Sequence, residues 1–299
     1  MRKILLILCV IVYPAVSYAD SLQSAIDKVY EKGSDKLEGF IAEKLFDGPG
    51  DTEISIQSKD SNKPVSSIMI VRPIKIHDDK LNFYQLQISN NSILGYSRQT
   101  LNLGYGHRFL SSDKKRFIGF NTFLDRDSKN NSRASIGAEI RTAAFEANGN
   151  FYKALSESNG AGNDVGSNKE RVLDGYDINI VGQVPNAPWA NIVFTDYRWE
   201  KVKNTKDSEG KIFKTEINLT NNVTLEAGID DNNITNSQDF IKLTYNYPGK
   251  DRPTILDGKS QETFETSDVS GEMLTKVRRS NAITVEVEAS GVVIARGNN

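Results

Sequence analysis

The sequence predicts an all-β fold: a transmembrane, antiparallel up-and-down β-barrel of about twelve strands, with a short N-terminal helical segment and a C-terminal linker. Three features carry that prediction. From Thr52 to Tyr247 apolar and polar residues alternate with a period of two, and successive side chains of a strand point to opposite faces. The alternating segments run eight to twelve residues, near the ~9–11 that a tilted strand needs to cross a bilayer and longer than the ~5–6 usual in soluble sheets. The connectors between them alternate between longer polar stretches and short turns.

The chain begins with Arg2 and Lys3, an uncharged apolar run from Ile4 to Val12, and Ser17-Tyr18-Ala19. That three-part layout predicts a secretory signal peptide over residues 1–19, cut after Ala19. The run is too short for a membrane-spanning helix, which takes ~20 apolar residues. Cys9 is the only cysteine, so the mature chain has no disulfide to stabilise it. Removing Arg2 and Lys3 leaves 35 basic against 39 acidic residues, a net charge of −4, which argues against a nucleic-acid partner. Hydrophobic content is 38% with no second long apolar stretch, so helical spans are not expected; a barrel, whose strands are half polar, fits that composition.

Residues 20–50 have helical spacing. Leu22, Ile26, Val29, Leu37, Phe40, Ile41 and Leu45 fall on one stripe, interrupted at Gly33 and ended by Gly48-Pro49-Gly50, and are expected to pack as a periplasmic segment. Twelve strand-like segments follow over 51–248: Thr52–Lys59, Ser66–Ile76, Leu81–Ser89, Thr100–Phe109, Lys115–Asp125, Ser132–Arg141, Phe145–Ala154, Leu173–Val184, Trp189–Glu200, Lys211–Leu219, Asn222–Asp230 and Gln238–Tyr247.

Each segment has an oily and a polar side. Leu101, Leu103 and Tyr105 oppose Asn102, Gly104, Gly106 and Arg108; Ile136 and Ile140 oppose Glu139 and Arg141; Phe145 and Phe151 oppose Glu146, Asn148 and Asn150; Leu225 and Ile229 oppose Glu226 and Asp230. In a membrane barrel the polar side lines the lumen. Asn102, Arg108, Asn121, Glu139, Arg141, Glu146, Asn148, Asp177, Glu226 and Asp230 are therefore expected to line the pore, as ion pairs around water. A soluble barrel would show the same alternation, so periodicity alone does not choose.

Connector lengths do discriminate. Asn90–Gln99, Leu155–Val172 and Lys201–Gly210 are long; His77–Lys80, Thr142–Ala144, Pro185–Pro188 and Thr220–Asn221 are short. With the chain start in the periplasm, every short connector lands on the periplasmic rim, as in outer-membrane barrels. Tyr84, Tyr96, Tyr105, Trp189, Tyr197, Trp199, Tyr245 and Tyr247 lie near strand ends or in loops, where interfacial girdles are expected. The Gly-, Ser- and Asn-rich stretch Leu155–Val172 reads as a flexible connector.

Catalytic and metal chemistry is not expected. His77 and His107 stand alone, no Gly-x-Ser-x-Gly elbow occurs, and Asp230-Asp231-Asn232-Asn233 lacks the distal Glu of a calcium loop. A solvated turn is the simpler reading, and no cofactor is implied.

Two stretches go beyond pattern. Asn102-Leu103-Gly104-Tyr105-Gly106-His107-Arg108-Phe109 and Ile118-Gly119-Phe120-Asn121-Thr122-Phe123-Leu124-Asp125-Arg126-Asp127 resemble the translocator barrel of the intimin/invasin family, the inverse autotransporters. Arg133–Glu139, Asn150-Phe151-Tyr152 and Gly175-Tyr176-Asp177 resemble the strands that follow. The resemblance runs from about Leu22 to Tyr247 and implies an outer-membrane, type V secretion barrel assembled by periplasmic chaperones and the barrel-assembly machinery. It also implies that residues 249–299 form a linker entering or crossing the pore, with Val269–Val277 as a short helix and Met273, Val277, Arg279, Asn281 and Ile283 as linker residues. Tyr245-Asn246-Tyr247 resembles the aromatic assembly signal, with Lys242 where a glycine is customary. Family adhesins continue into immunoglobulin-like domains, each needing ~100 residues. Only Thr284–Asn299 follow here, as two short strands around Ser290-Gly291, so the passenger is expected to be absent or truncated. The alternative is a standing structural barrel or passive pore plugged by its own tail. Expected partners are outer-membrane lipid and, through the long loops, a host or phage surface ligand.

Overall fold

A chain whose strands each offer one apolar and one polar face can close on itself and leave no unpaired edge, and this chain does so. The computed structural model describes residues 48–59, 64–93, 96–156, 159–160, 169–203, 206–235, 237–289 and 291–295. The chain divides into Met1–Pro49 and Gly50–Asn299; the signal peptide and nearly all of the helical segment expected in the first unit lie outside the described residues.

The strands are β1 (Asp51–Lys59), β2 (Val65–Ile76), β3 (Lys80–Ile93), β4 (Tyr96–Leu110), β5 (Arg116–Asp127), β6 (Ser132–Thr142), β7 (Phe145–Ala154), β8 (Asn159–Gly160), β9 (Lys169–Val172), β10 (Gly175–Val184), β11 (Ala187–Trp199), β12 (Ser208–Asn218), β13 (Val223–Asn232), β14 (Gln238–Tyr247), β15 (Val285–Ala289) and β16 (Gly291–Ala295). β1–β7 and β10–β14 form a closed barrel of twelve antiparallel strands. Closure runs from Thr52 opposite Tyr247 to Lys59 opposite Phe240, so every strand edge is satisfied within the sheet, as lipid demands.

All twelve expected barrel segments are strands, and most differences are at their ends. Asn90–Gln99 is mostly ladder, because β3 and β4 continue pairing out to Ile93 opposite Tyr96. Pro73 has no N–H to give the β2–β3 ladder, and the register shifts between Pro73 and Lys75. Asn186, at a φ of 59°, turns the chain between β10 and β11, a conformation Asn tolerates better than most residues.

The faces are inverted relative to a soluble barrel. Ile136 is 64% and Phe151 65% exposed, and Leu103, Phe120, Leu124, Ile180 and Ile241 are also exposed. Among the described residues, the buried polar and charged side chains outnumber the buried apolar ones, and Asn, Gln, Asp, Glu and Arg make up most of them. The apolar band therefore looks outward and the polar residues look into the lumen.

Candidate functional site: the occupied lumen

The lumen is occupied by the chain's own C-terminal segment. After β14, Pro248–Asp268 runs beneath the short-turn rim and is tied to its turns. Trp189 Nε1 donates to Gly258 O at 2.7 Å, Asn186 N to Thr263 O at 3.0 Å and Val269 N to Lys114 O at 2.9 Å. At this rim the Thr254 N–H and hydroxyl donate to Asp257 at 2.7 and 2.9 Å, holding its carboxyl below the usual carboxylate range. The segment expected to be a helix over Val269–Val277 is a single 3-10 turn, Ser270–Leu274.

From Val269 the chain climbs one wall. Val269, Met273 and Val277 pack on Val71, Leu81, Phe83, Leu110, Phe117 and Phe123, an apolar patch inside the polar lumen. Glycines on the inward side of β4 make room for it: a Cβ on Gly106 would lie 2.2 Å from the Phe83 ring, and one on Gly104 2.2 Å from the Phe123 ring. Above the patch the contacts are polar. Arg108 pairs with Glu139 at 2.6 Å and donates to the carbonyls of Met273 and Thr275, both at 2.7 Å. Gln85 Oε1 accepts Val277 N at 2.8 Å. Lys276 reaches Glu53 at 2.7 Å. Arg278 binds Glu216 in bidentate fashion at 2.5 and 2.7 Å and Glu146 at 3.0 Å, the planar geometry that makes such pairs strong.

The densest cluster surrounds Asp125. Its carboxylate accepts Arg279 through Nη1 and Nη2 at 2.9 and 2.7 Å, Arg133 Nε at 2.9 Å and Asn102 Nδ2 at 2.8 Å. The Arg279 guanidinium lies 4.2 Å from the Phe123 ring centroid, and that of Arg133 lies 4.3 Å from the Tyr152 ring centroid and 5.5 Å from that of Trp199; ring faces favour the cations. Beside them Tyr152 Oη donates to Asp177 at 2.5 Å, and Ser280 N donates to both Tyr152 Oη and Asp177 at 2.8 and 3.0 Å. Asn281 donates to Gln87 at 2.6 Å and its carbonyl accepts Asn102 at 2.9 Å.

The positions assigned to the pore by parity fall into two groups. Asn102, Arg108, Arg141, Glu146 and Asp177 bond directly to the linker; Arg141 does so through Glu272 and Thr275 at 3.0 and 2.6 Å. Glu139 and Asn148 support those contacts through Arg108 and Glu146, and Asn121 is buried beside Gly137. Glu226 and Asp230 lie on the opposite wall, paired with Lys214 at 2.5 Å and Lys59 at 2.7 Å. That wall and the linker enclose a cavity of about 150 Å³, and a larger one of about 1080 Å³ opens at the short-turn rim. Of the linker positions, Met273 and Val277 fill the apolar patch, Arg279 and Asn281 make the polar contacts, and Ile283 packs with Val172, Val285 and Val287 where the chain leaves the lumen.

Sequence reading missed Asp125, Arg133, Gln85, Gln87, Lys276 and Arg278. Asp125 and Phe123 share the parity of Asn121, which was the available signal. The aromatic girdle needs correction: Tyr197 and Trp199 are buried inside with Tyr152 and Leu173, because their parity on β11 is inward. The reading of Leu155–Val172 as a flexible connector also needs correction: β8 and β9 lie in it, β8 pairing with β9 and β9 with β15 of the tail.

A closed twelve-stranded barrel with an apolar exterior and a polar interior crossed by its own chain defines an outer-membrane β-barrel. Within that class the chain belongs to the inverse autotransporter family: residues 16–281 match the family described as inverse autotransporter, beta-domain. No curated protein sequence matches it at a significant level. A chain solved in work on the in-meso crystallization of membrane proteins superimposes with a TM-score of 0.65 at 21% identity, over 80% of this chain and 99% of that one, a likeness of fold. An outer-membrane channel from Pseudomonas putida F1 gives a TM-score of 0.47 at 11% identity, over 68% and 98%, and the KdgM porin 0.44 at 8%, over 65% and 98%.

Proposed function

We propose that this barrel exports its own C-terminal segment through its lumen to the cell surface, acting in transport and display rather than catalysis. One observation carries the reading: the linker goes in at the short-turn rim and comes out at the long-loop rim. The 3-10 turn Ser270–Leu274 covers ~10 Å at ~2 Å per residue and Thr275–Thr284, if extended, ~33 Å at ~3.3 Å each, against a hydrocarbon core of ~30 Å, so Ser270–Thr284 is long enough to span the membrane. On this reading the short turns face the periplasm, and residues 51–248 act as the translocator. The barrel-assembly machinery and periplasmic chaperones deliver it to lipid, with Tyr245-Asn246-Tyr247 as the assembly signal. A tag placed after Asn299 is expected to bind antibody on intact cells. A tag hidden until the outer membrane is permeabilised refutes export.

The density of ion pairs around Arg278 and Arg279 favours one further reading, in which the barrel stands as a pore plugged by its tail. Planar-bilayer conductance separates the two. Export followed by docking predicts a small current from the full chain and a larger one from a chain cut after Tyr247. A large current from the full chain, which needs the tail to leave the lumen without being exported, favours a standing pore.

A further inference from the structure

Outside the barrel, at the long-loop rim, lies a second sheet of order β16-β15-β9-β8. Two of its strands come from the loop between β7 and β10 and two from the tail. We propose that β9 is a capture strand: the edge at which the segment leaving the lumen is received as an antiparallel strand and kept from sliding back. The proposal rests on the export reading and adds where the exported chain is caught and by what.

β9 is fastened to the barrel before any tail reaches it. Its Glu170 carboxylate is gripped by the Arg98 guanidinium, which pairs with both oxygens, and by Asn131 Nδ2. Arg98 also holds Asp127 at 2.9 Å. All four residues are buried. A carboxylate in a surface loop loses its hydration on burial and stays there only when paired this well, so the clamp fixes β9 to β4 and the β5–β6 turn. A strand so held presents unpaired backbone groups along one side, a ready template for another strand.

The tail meets that template as soon as it leaves the lumen. Leu173 N donates to Thr284 O at 3.1 Å, and the ladder continues with Val285 opposite Val172, Glu286 opposite Arg171, Val287 opposite Glu170 and Glu288 opposite Lys169. Val285 and Val287 pack with Val172, Ile283 and Ala154 on one side. On the other, the Glu286 carboxylate accepts the backbone N–H groups of Val202 and Lys203 at 3.0 and 2.8 Å, from the β11–β12 loop. Two loops thus grip the first residues outside the membrane. The occupant is this chain itself: Thr284 is docked directly below, so Val285 is held at a high effective concentration next to Val172. Sliding back requires breaking the ladder and wetting the valines together.

The test uses the full chain in intact cells with a C-terminal epitope tag. Directly opposed residues lie ~4.5–5.5 Å apart between Cα atoms, within disulfide reach. Val172→Cys with Val285→Cys should therefore cross-link on mild oxidation, whereas Val172→Cys with Val287→Cys, two residues out of register, should not. Two variants then remove the catch from different sides: Glu170→Ala frees β9, and Val287→Pro spoils the tail strand while leaving every barrel residue unchanged. Both should lower the rate of tag exposure roughly tenfold or more, through loss of a buried ion pair in the first and of a ladder hydrogen bond in the second, while heat-modifiable migration of the barrel is retained. Tag exposure at the parent rate in both variants, or no cross-link in the register-matched pair while the tag is exposed, overturns capture and leaves export standing. A tag that stays hidden in the parent chain removes export and capture together.

Discussion

Replacing Asp125 by Asn removes the charge at which two guanidiniums meet and keeps its volume. Asp125 accepts Arg279 at 2.7 and 2.9 Å and Arg133 at 2.9 Å, and none of the three side chains is exposed. An amide keeps one acceptor oxygen and turns N–H groups toward a cation. Breaking a buried pair by removing one partner costs ~3–5 kcal/mol. That cost is shared, because Arg133 belongs to the barrel and keeps its place beside Asp125 whether or not the linker is docked, whereas Arg279 leaves with the linker. If about half falls on Arg279, docking weakens by ~1.5–2.5 kcal/mol, a drop of roughly ten- to seventyfold in the ratio of docked to undocked linker. Purified Asp125→Asn should therefore show frequent large openings in planar bilayers, while its heat-modifiable migration persists. Ser135→Ala serves as the comparison, since it removes one neutral contact to Arg279 at 3.0 Å and should change the current little. A double-mutant cycle of Asp125→Asn with Arg279→Gln should give a clear coupling energy. Unchanged conductance in Asp125→Asn, or additive effects in the cycle, would refute the assignment of Asp125 as the anchor of the linker.

Three further perturbations probe other parts of the molecule. Ile136→Arg puts a charge near the middle of β6 on the lipid side and should cost ~2–4 kcal/mol, read as lost heat-modifiable barrel after refolding into detergent or lipid. Gly104→Val would drive a side chain into the Phe123 ring, whose nearest atom lies 2.2 Å from the added Cβ position. Barrel yield should fall, and Gly104→Val combined with Phe123→Leu should recover part of it. Arg278→Ala leaves Glu216 and Glu146 without their linker partner and should speed protease cleavage within the linker. Arg278→Lys should recover only part of the protection, because a lysine cannot reproduce the bidentate contact to Glu216.

The barrel was legible because lipid imposes a simple rule on it. Most positions facing the hydrocarbon are apolar and every second residue faces that way, so Leu101, Leu103 and Tyr105 mark β4 without reference to any other strand. The lumen contacts were not legible, since parity says which side a residue is on and nothing about what it meets. Arg279 and Asp125 are 154 residues apart, and no local pattern joins them. Phe83, Phe117 and Phe123 are a different case. They look like lipid-facing residues by type, yet share the parity of polar neighbours, and only the inward glycines Gly104 and Gly106 hint that rings fill the space. In the sheet at the long-loop rim the tail strands β15 and β16 fall where two short strands were expected, but β8 and β9 escaped for a third reason. β9 is four residues long and polar, and it becomes a strand through pairing with β15 and through the clamp on Glu170, both supplied by residues remote in sequence.

The polarity of the lumen also bears on how, on the proposed export reading, one wall could serve both passage and docking. With a chain moving through, Arg108, Asp125, Arg133 and Asp177 would face water, which solvates them well. With the linker docked, the same groups lose water and gain one another together with the linker's carbonyls and Arg279. For buried ion pairs, desolvation largely offsets the Coulombic gain, so the two states lie close in free energy even though deleting any single partner is costly. An apolar lumen would hold a docked apolar segment firmly but could not be wetted cheaply around a polar chain in transit. A lumen of unpaired charge of one sign would wet easily but hold nothing. The mixture found here, an apolar patch around Met273 below and compensated charge around Arg279 above, gives a linker that is specific once seated yet separated from the open state by a modest difference. On the proposed export reading, the strand pairing outside the membrane, rather than the lumen alone, is then the natural place for a step that would make passage one-way.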